Sequence, residues 1–412
     1  MSALMPETDS EDELPPGWQE KATLEGEVYY ANHLEKSTQW THPRTGKRKE
    51  VSTSLPFGWE RNKLPDGKIV YVNHDEQKTT YIDPRLAFAK EIHNNGKSNL
   101  ENFRQRFDAS SNALQVLHGQ DLTKKVAIVT GSNHGGIGYE MARTLARSGC
   151  SVILACRDLS KAEISIGKIR SERANVKCFA MELNLASLKS VKKFADSFMK
   201  NFKALDILIL NAGIFGLEHC MTEDNLELTF QVNYLSHYYL SHLLKPALDE
   251  AIMPKIVAIS AESHRFSLIQ HPEEFLSESI LNPLSSDTFC QTFAYNDSKL
   301  FQLMFALEAN DAWKNIRCIA VHPGNMISSR LNRHWWFHRI LFALVRPFAK
   351  SLQQAAASGI FAAATPEMRC VGGIYINNCF PCQSSGISQD FLARRNLWMT
   401  SSKLLKDRGH FK

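Results

Sequence analysis

The sequence predicts a multidomain fold: two small three-stranded antiparallel β domains, followed by an α/β domain with a doubly wound parallel sheet. Three observations predict it. A motif recurs within the first ninety residues, a polar stretch follows, and apolar strands then alternate with helices. The chain has 412 residues, of which 43% are hydrophobic, so it can bury a sizeable core. Its formal charge of +5 is too small to indicate a nucleic-acid-binding protein.

Cysteine usage and hydropathy restrict the cellular setting. The nine cysteines all lie at or after Cys150 and show no even framework, which indicates a reduced, intracellular chain. We expect it in the cytoplasm, with other intracellular compartments as alternatives. We find no signal peptide and no uninterrupted apolar stretch of about 18 residues, so we expect no transmembrane segment. The apolar run at 335–348 contains a histidine and two arginines and is interpreted as an amphipathic surface or lid helix. Cys379 and Cys382 form an isolated C-x-x-C, so we expect no metal site.

The N-terminal repeat predicts two meanders of three strands. Each unit opens with Pro-x-Gly-Trp and continues through a turn, a β-rich run and a polar loop to a closing proline. A unit of about 30 residues is marginally stable, so its ends need a clamp, and we expect Trp18 to pack on the flanking prolines. At an offset of 41 residues, the equivalent positions are Gly17-Trp18 and Gly58-Trp59, Asn32-His33 and Asn73-His74, Pro43 and Pro84.

Both repeats resemble the WW domain, over residues 15–48 and, in degenerate form, over residues 56–89. The resemblance implies binding of proline-rich proteins of the Pro-Pro-x-Tyr type, whose preformed extended helix loses little entropy on docking. The implied peptide-binding residues of the first repeat are Tyr29, His33, Thr38 and Trp40.

The second repeat departs from the pattern at the two aromatic positions that would form the walls of the peptide-binding groove. Val70 replaces Tyr29, and Tyr81 replaces Trp40, so most of the stacking area is lost. We expect weak or altered peptide binding there, with the second unit supporting the first. The basic run Lys47-Arg48-Lys49 between the repeats has two interpretations, a nuclear-import signal or a solvated charge run.

Residues 90–121 are polar and predict a linker, and the α/β domain is expected over residues 122–412. Alternation of apolar strands with helices predicts a parallel sheet covered on both faces. The predicted strands lie at 126–129, 151–155, 176–181, 205–210, 255–260 and 316–322, and the predicted helices at 139–148, 188–202, 226–251 and 295–311.

Four motifs in this part occur in a specific order. A glycine-rich turn at 131–138 joins a strand to a helix, Asn211-Ala212-Gly213 follows a strand, Tyr295-Asn-Asp-Ser-Lys299 opens a helix, and His322-Pro323-Gly324 ends a strand. Together they resemble the short-chain dehydrogenase/reductase superfamily, over roughly residues 122–380. The resemblance implies a Rossmann-type fold and a nicotinamide cofactor.

Tyr295 and Lys299 are four residues apart, so they share one helix face. A phenol has an ordinary pKa near 10, and a nearby ammonium lowers it toward the range useful for proton exchange. The resemblance implies that Tyr295 is the general acid/base, that Lys299 also binds the nicotinamide ribose, and that Asn233 supports a proton relay.

The hydroxyl that the superfamily uses to hold the substrate carbonyl is the second residue of a Ser-Ser pair. Here the second position is Ala261. Ser260 becomes the candidate if the register shifts by one residue, and Ser263 is a more distant option. Losing this hydrogen bond would cost about 2–4 kcal/mol of barrier if nothing replaced it.

We expect NADP(H) rather than NAD(H). The second strand ends with Arg157 and has no acid at its end, which suits a 2′-phosphate. Gly135 is expected to absorb the extra residue in the glycine-rich turn. The implied cofactor-binding residues are Gly131, Ser132, Asn133, His134, Gly135, Gly136, Ile137, Gly138, Arg157, Asn184, Asn211, Gly213 and Lys299.

We therefore expect an NADP(H)-dependent oxidoreductase acting on a small apolar carbonyl compound or alcohol. The resemblances also imply a signalling adaptor of tumour-suppressor type with a role in apoptosis, and a homodimer as one assembly. The alternative is a scaffold that binds nucleotide but turns over little. Ala261 and the longer loop favour the scaffold, whereas the intact Asn233, Tyr295 and Lys299 favour the enzyme.

Overall fold

The computed structural model describes residues 14–91, 105–324 and 350–411, apart from positions 25, 47, 53, 57, 66, 75, 76 and 288. The chain divides into two units, one holding both repeats and the other holding the α/β domain. The predicted helix at 335–348 and Lys47 of the basic run lie outside the described residues. Within the described part, no helix is long and apolar enough to cross a membrane.

Each repeat forms the predicted three-stranded antiparallel meander. In the first repeat, alternation along the second strand buries Val28 and Tyr30 and turns Tyr29 to the opposite face. Trp18 packs against this buried cluster. The elements are β1 (Trp18–Ala22), β2 (Val28–Asn32), β3 (Ser37–Gln39), β4 (Lys49–Glu50), β5 (Trp59–Lys63), β6 (Ile69–Asn73), β7 (Lys78–Thr80), β8 (Lys90–Glu91) and a 3-10 helix, Pro84–Phe88.

The second repeat is attached to the first through a buried arginine. The Arg85 guanidinium pairs with Asp83 at 2.7 Å and donates hydrogen bonds to the backbone carbonyls of Thr23 and Ser52. Leu86 packs against the core cluster of the first repeat, and β4 pairs with β8. The second repeat therefore contacts the first hairpin directly, because its buried guanidinium donates a hydrogen bond to the Thr23 carbonyl.

The α/β unit is built on an eight-stranded sheet in the order β11-β10-β9-β12-β13-β14-β15-β16. All neighbours are parallel except the last pair, which is antiparallel. Strand order reverses between β9 and β12, as in a doubly wound sheet. The strands are β9 (Val126–Thr130), β10 (Ser151–Cys156), β11 (Cys178–Glu182), β12 (Ile207–Leu210), β13 (Lys255–Ile259), β14 (Arg317–His322), β15 (Ile374–Asn377) and β16 (Phe380–Cys382).

Helices cover both faces of this sheet and bury one apolar cluster on each side. The described α-helices are α1 (Ala113–Val116), α2 (Ile137–Arg147), α3 (Leu159–Glu172), α4 (Leu188–Asn201), α5 (Leu228–Phe230), α6 (Ser236–Asp249), α7 (Glu278–Leu281), α8 (Gln291–Ala312), α9 (Leu352–Ala364), α10 (Gly386–Gln389) and α11 (Phe391–Asp407). A π-helical turn, Gln231–Leu235, joins α5 to α6. Short 3-10 helices occupy Glu262–Phe266, Pro272–Leu276 and Pro366–Met368.

Part of the stretch predicted as linker belongs to the α/β unit. The Phe107 ring packs edge-on against Phe361, with ring centroids 6.2 Å apart. Helix α1 begins after Asn112, whose side chain caps it, and buries Ala113 and Val116 in a core cluster. The unit therefore extends upstream of the predicted boundary at residue 122, because a few well-spaced apolar residues suffice to anchor an otherwise polar segment.

The first residue of β13 is a buried lysine. Lys255 is 4% exposed, and its ammonium donates hydrogen bonds to the carbonyls of Ala362 and Met368. It forms no salt bridge with any carboxylate in the described part of the chain. Burial lowers the pKa of Lys255 to about 7.

We predict that Lys255→Met removes a pH dependence of stability. The folded pKa of about 7 lies below the ordinary value of 10.5, so the unfolded chain binds more protons between these values and the parent gains stability as pH rises. Between pH 7 and 9, we expect the parent to gain about 2 kcal/mol of unfolding free energy relative to the variant. Urea denaturation at both pH values measures this difference. Equal differences at pH 7 and pH 9 would contradict it, and Lys314→Met, at an exposed position, is the matched control.

Candidate active site and peptide groove

A cavity of about 670 Å³ opens at the carboxyl ends of the parallel strands, where β9 and β12 diverge. Open α/β sheets bind ligands at such a point because the loops on either side leave in opposite directions. The walls come from the ends of β9, β10, β12, β13 and β14 and from one face of α8. Predicted site residues that line it are Gly131, Asn133, His134, Gly135, Gly136, Ile137, Arg157, Asn184, Asn211, Gly213, Ser260, Tyr295 and Lys299.

Thr130, the last residue of β9, holds two strand ends together. Its Oγ1 accepts hydrogen bonds from the backbone N–H groups of Asn211 and Ala212, at 2.9 and 3.0 Å. The Asn211 side chain donates back to the carbonyls of Thr130 and Gly131. These bonds fix the start of the glycine-rich turn against the loop that follows β12.

The glycines of the turn are required by close backbone approach. A β-carbon on Gly131 would lie 2.9 Å from Ala212 Cα, and one on Gly138 would lie 2.7 Å from the Gly131 carbonyl oxygen. Gly135 has a φ of +81°, the left-handed conformation through which we expected it to absorb the extra residue. The turn therefore keeps its tight contact despite its greater length.

The cavity fits a dinucleotide on its phosphate side. The Asn133 Oδ1 atom is buried at the cavity wall and accepts no hydrogen bond from any described residue. Gly136 caps α2 without a side chain, so the helix N-terminus is open to an anion. Ser132 differs from the prediction, because its hydroxyl donates to the Val129 carbonyl inside the protein and the residue does not line the cavity. Gly138 does not line the cavity either, and its role is to allow the close approach of α2 to the Gly131 carbonyl.

Tyr295 and Lys299 lie on one face of α8, as predicted, with the Lys299 ammonium 5.5 Å from the centroid of the Tyr295 ring. The expected lowering of the tyrosine pKa is wrong for this structure, because burial raises the pKa of Tyr295 to about 12. Burial also lowers the pKa of Lys299 to about 8. The ammonium donates to the Ile259 carbonyl at 2.9 Å rather than to the phenol, so desolvation decides both pKa values.

Asn233 lies in the π-helical turn between α5 and α6, an irregularity that is frequent at functional sites. Its carboxamide accepts a hydrogen bond from the Ile214 N–H and donates to the Ile214 carbonyl and to the Ser298 hydroxyl. The wider turn directs this side chain across the gap between α8 and the loop after β12. Asn233 is therefore linked to α8 through Ser298, but it is fully buried behind the cavity wall and does not line the cavity itself.

Ser260 is not placed as a substrate-binding hydroxyl. Its Oγ donates to the backbone carbonyl of Lys299 at 2.7 Å, and the residue is 1% exposed. Its neighbour Ala261 lines the cavity but has no hydroxyl. The Oγ of Ser263 is enclosed by protein, and Ser263 does not line the cavity. The register therefore does not shift by one residue, and Ser260 positions α8 instead.

The first repeat presents an open aromatic pair. The rings of Tyr29 and Trp40 meet edge-on with centroids 5.9 Å apart, and Trp40 is 47% exposed. Thr38 is exposed on β3, opposite Ala31 of β2. His33 lies at the end of the same sheet, where its Nε2 contacts Gln19 Oε1 at 2.9 Å. These four predicted residues thus lie on or beside one small sheet.

Comparison with known proteins agrees with the division of the chain into an N-terminal repeat region and an α/β unit. Residues 14–43 match the WW domain, and residues 125–271 match the short chain dehydrogenase model. A WW domain-containing oxidoreductase of Drosophila melanogaster is 46% identical over 407 residues, which cover 98% of this chain and 98% of that protein. The chain belongs to the WW domain-containing oxidoreductases.

Two further likenesses concern the α/β unit. Retinol dehydrogenase 12 of Mus musculus is 32% identical over 283 residues, covering 68% of this chain and 86% of that protein. The crystal structure of an uncharacterized protein from Mycobacterium Paratuberculosis covers 73% of this chain and 97% of its own, at 26% identity and a TM-score of 0.55. The predicted fold class and the oxidoreductase assignment are confirmed.

Sequence reasoning missed three contributors to this oxidoreductase site. Thr130 connects the strand ends, Ser298 links Asn233 to the Tyr295 carbonyl, and the Phe215 ring packs edge-on against Tyr295 at 4.8 Å. Ser298 carried a usable signal, since a serine in a helix often donates to a carbonyl one turn earlier. The contact of Phe215 depends on a loop path that no periodicity indicates.

We predict that Ala261→Ser raises carbonyl reduction. A hydroxyl at this position would enter the cavity beside Tyr295 and donate to the substrate oxygen, an interaction worth about 2–4 kcal/mol in other enzymes. We expect kcat/KM to rise by about tenfold or more on a panel of carbonyl compounds with reduced nicotinamide nucleotide. Ser263→Ala is the control and should leave kcat/KM unchanged. An unchanged kcat/KM in Ala261→Ser, together with a large loss of kcat/KM in Ser263→Ala, would assign the substrate-binding hydroxyl to Ser263.

Proposed function

We propose that this oxidoreductase is NADP(H)-dependent, reduces an apolar carbonyl compound or oxidises the matching alcohol, and recruits Pro-Pro-x-Tyr proteins through its first WW domain. The observation that carries the enzymatic part is that Tyr295 and Lys299 line a glycine-rimmed cavity, with Asn233 buried behind its wall and bonded to Ser298 of the same helix. Bound nicotinamide would supply or accept the hydride.

The residues of the chain then handle the proton. A pKa near 12 keeps the Tyr295 phenol protonated at neutral pH, so it is ready to donate to a carbonyl oxygen that gains negative charge. The phenolate left behind is stabilised by the Lys299 ammonium, which a pKa of about 8 keeps mostly protonated at neutral pH. Asn233 holds Ile214 of the cavity wall at a fixed distance from α8. This arrangement favours reduction over oxidation at neutral pH.

The preference for NADP(H) rests on charge at the end of β10. Arg157 lines the cavity there, and Lys161 lines it one turn into α3. The nearby Asp158 carboxylate is paired with Lys161 at 2.7 Å and caps α3 through the Lys161 N–H. Its charge is thus engaged away from a ribose, while a guanidinium remains to receive a 2′-phosphate. Asn184 supports the adenine side, and its Oδ1 already accepts from the Ala186 N–H.

The proposed substrate class follows from the wall near Tyr295. Apolar side chains line the cavity beyond the glycine-rich turn, which favours an apolar carbonyl compound. The likeness to a mouse retinol dehydrogenase supports the same class. The apolar side chains are those of Ile214, Leu217, Leu228 and Val232.

A second candidate function is a nucleotide-binding scaffold with little turnover. Ala261 favours it, because this position of the described cavity wall carries no hydroxyl to orient a substrate oxygen. In either case we infer a signalling adaptor that restrains growth and promotes apoptosis. We place it in the cytoplasm, with Lys47-Arg48-Lys49 as the proposed nuclear-import signal and a homodimer as the proposed assembly.

We predict that Tyr295→Phe abolishes turnover and leaves nucleotide binding intact. Phenylalanine keeps the ring that packs against Phe215 but removes the proton donor, so kcat should fall by at least about a hundredfold. Oxidation of NADPH in the presence of a panel of carbonyl compounds measures turnover. Calorimetry with NADPH and NADH measures nucleotide binding. We expect the parent to bind NADPH more tightly than NADH.

Arg157→Ala is the matched control for the nucleotide. It should lose the preference for NADPH while retaining turnover at saturating nucleotide. Equal activity of Tyr295→Phe and the parent on every substrate would reject the catalytic assignment. Absence of turnover in the parent, with tight nucleotide binding, would favour the scaffold.

We predict that Trp40→Ala abolishes binding of a Pro-Pro-x-Tyr peptide, whereas Tyr81→Ala changes it little. Trp40 forms an open wall against Tyr29, but Tyr81 is 67% exposed and Val70 replaces its partner tyrosine. Losing an aromatic wall of the groove should raise the Kd of the peptide at least about tenfold. Calorimetry on the full chain measures both variants. A larger loss in Tyr81→Ala than in Trp40→Ala would reverse the ranking of the two domains.

A further inference from the structure

A glutamine on β1 of the first WW domain contacts His33 at the edge of the peptide groove. Gln19 lies directly opposite Ala31 of β2, and Ala31 lies opposite Thr38 of β3, so the three side chains form one row across the sheet. Tyr29 precedes Ala31 by two residues on the same strand and therefore shares its face. Gln19 thus stands on the face that carries Tyr29 and Thr38.

This contact determines which nitrogen of the imidazole ring carries hydrogen. The Oε1 atom of Gln19 lies 2.9 Å from the Nε2 atom of His33. A carboxamide oxygen can only accept, so Nε2 donates, and the neutral ring then has its lone pair on Nδ1. His33 is exposed, and its Nδ1 atom forms no hydrogen bond with any residue that the structure describes. His33 therefore offers a hydrogen-bond acceptor beside the groove.

We propose that Gln19 is a positioning residue that makes the first WW domain specific for a tyrosine hydroxyl. By holding the His33 ring in its Nε2–H form, Gln19 keeps the Nδ1 lone pair in place to accept the phenol hydrogen of a Pro-Pro-x-Tyr ligand. A ligand with phenylalanine in place of that tyrosine has no hydrogen to donate. The partners are then proline-rich proteins whose tyrosine has a free hydroxyl. The inference rests on the proposed function, because His33 must meet the tyrosine of the ligand.

The second WW domain provides a matched control. Glu60 and His74 occupy the equivalent positions 41 residues later, and the Glu60 Oε2 atom lies 2.7 Å from the His74 Nε2 atom. The backbone is placed alike in both domains, because each histidine N–H donates to the carbonyl of the glycine before the tryptophan, Gly17 or Gly58. The second domain lacks the tyrosine and tryptophan walls. A change at Glu60 therefore removes the same kind of contact without touching the groove of the first domain.

The test compares two peptides that differ by one oxygen atom, Pro-Pro-x-Tyr and Pro-Pro-x-Phe. Calorimetry on the full chain, in mildly alkaline buffer where an ordinary imidazole is neutral, gives the ratio of their affinities. We expect the parent to prefer the tyrosine peptide about threefold to tenfold. In Gln19→Met, which has no strong acceptor, the preference should fall below about twofold. Gln19→Glu restores an acceptor and should keep the preference, as should Glu60→Met.

The ring nitrogen resonances of His33, assigned by their loss in His33→Asn, report the position of the ring hydrogen in the same buffer without ligand. We expect the Nε2–H form in the parent and in Gln19→Glu, and an average of both forms in Gln19→Met. A tyrosine preference that survives in Gln19→Met, an equal loss in Glu60→Met, or an Nδ1–H form in the parent overturns the inference and leaves peptide binding intact. A parent that binds neither peptide rejects the peptide-binding part of the proposed function, and the inference with it.

Discussion

The site depends on a reciprocal pair of hydrogen bonds between the end of β13 and helix α8. The Lys299 ammonium donates to the Ile259 carbonyl at 2.9 Å, and the Ser260 hydroxyl donates to the Lys299 carbonyl at 2.7 Å. Both side chains are almost fully buried, so breaking either bond would leave a polar group without water to replace it. Because Tyr295 lies one turn away on α8, the position of its phenol follows from this attachment. Asn233 adds a third link through Ser298.

This attachment gives the neighbouring residues Ser260 and Ala261 different roles. Side chains alternate along an extended segment, so a serine that faces α8 at position 260 turns position 261 toward the cavity. The hydroxyl that fixes the helix therefore cannot also hold the substrate. Burial raises the pKa of Tyr295 and lowers that of Lys299, because each charge alone is costly in a dry site.

The fold was predictable from sequence because its signals are periodic or local. Repeated tryptophans and alternating strands and helices specified both units, and Gly135 could be assigned its left-handed conformation from neighbouring glycines alone. Other features depend on contacts between distant segments. The orientation of Ser260 depends on a helix carbonyl 39 residues later in the chain. The raised pKa of Tyr295 depends on burial, to which the Phe215 ring contributes, and the packing of Phe107 depends on α9.

The two WW domains show the same separation of binding from support. In the first, Trp40 remains 47% exposed, and an exposed ring adds little to the stability of so small a sheet, so packing does not explain its placement. In the second, the corresponding Tyr81 has no tyrosine partner, but Arg85 and Asp83 form a buried ion pair. Removing one member of such a pair typically costs about 3–5 kcal/mol, because the other charge remains buried. Because Arg85 also donates a hydrogen bond to the Thr23 carbonyl of the first hairpin, loss of this pair in the second domain would destabilise the first domain as well.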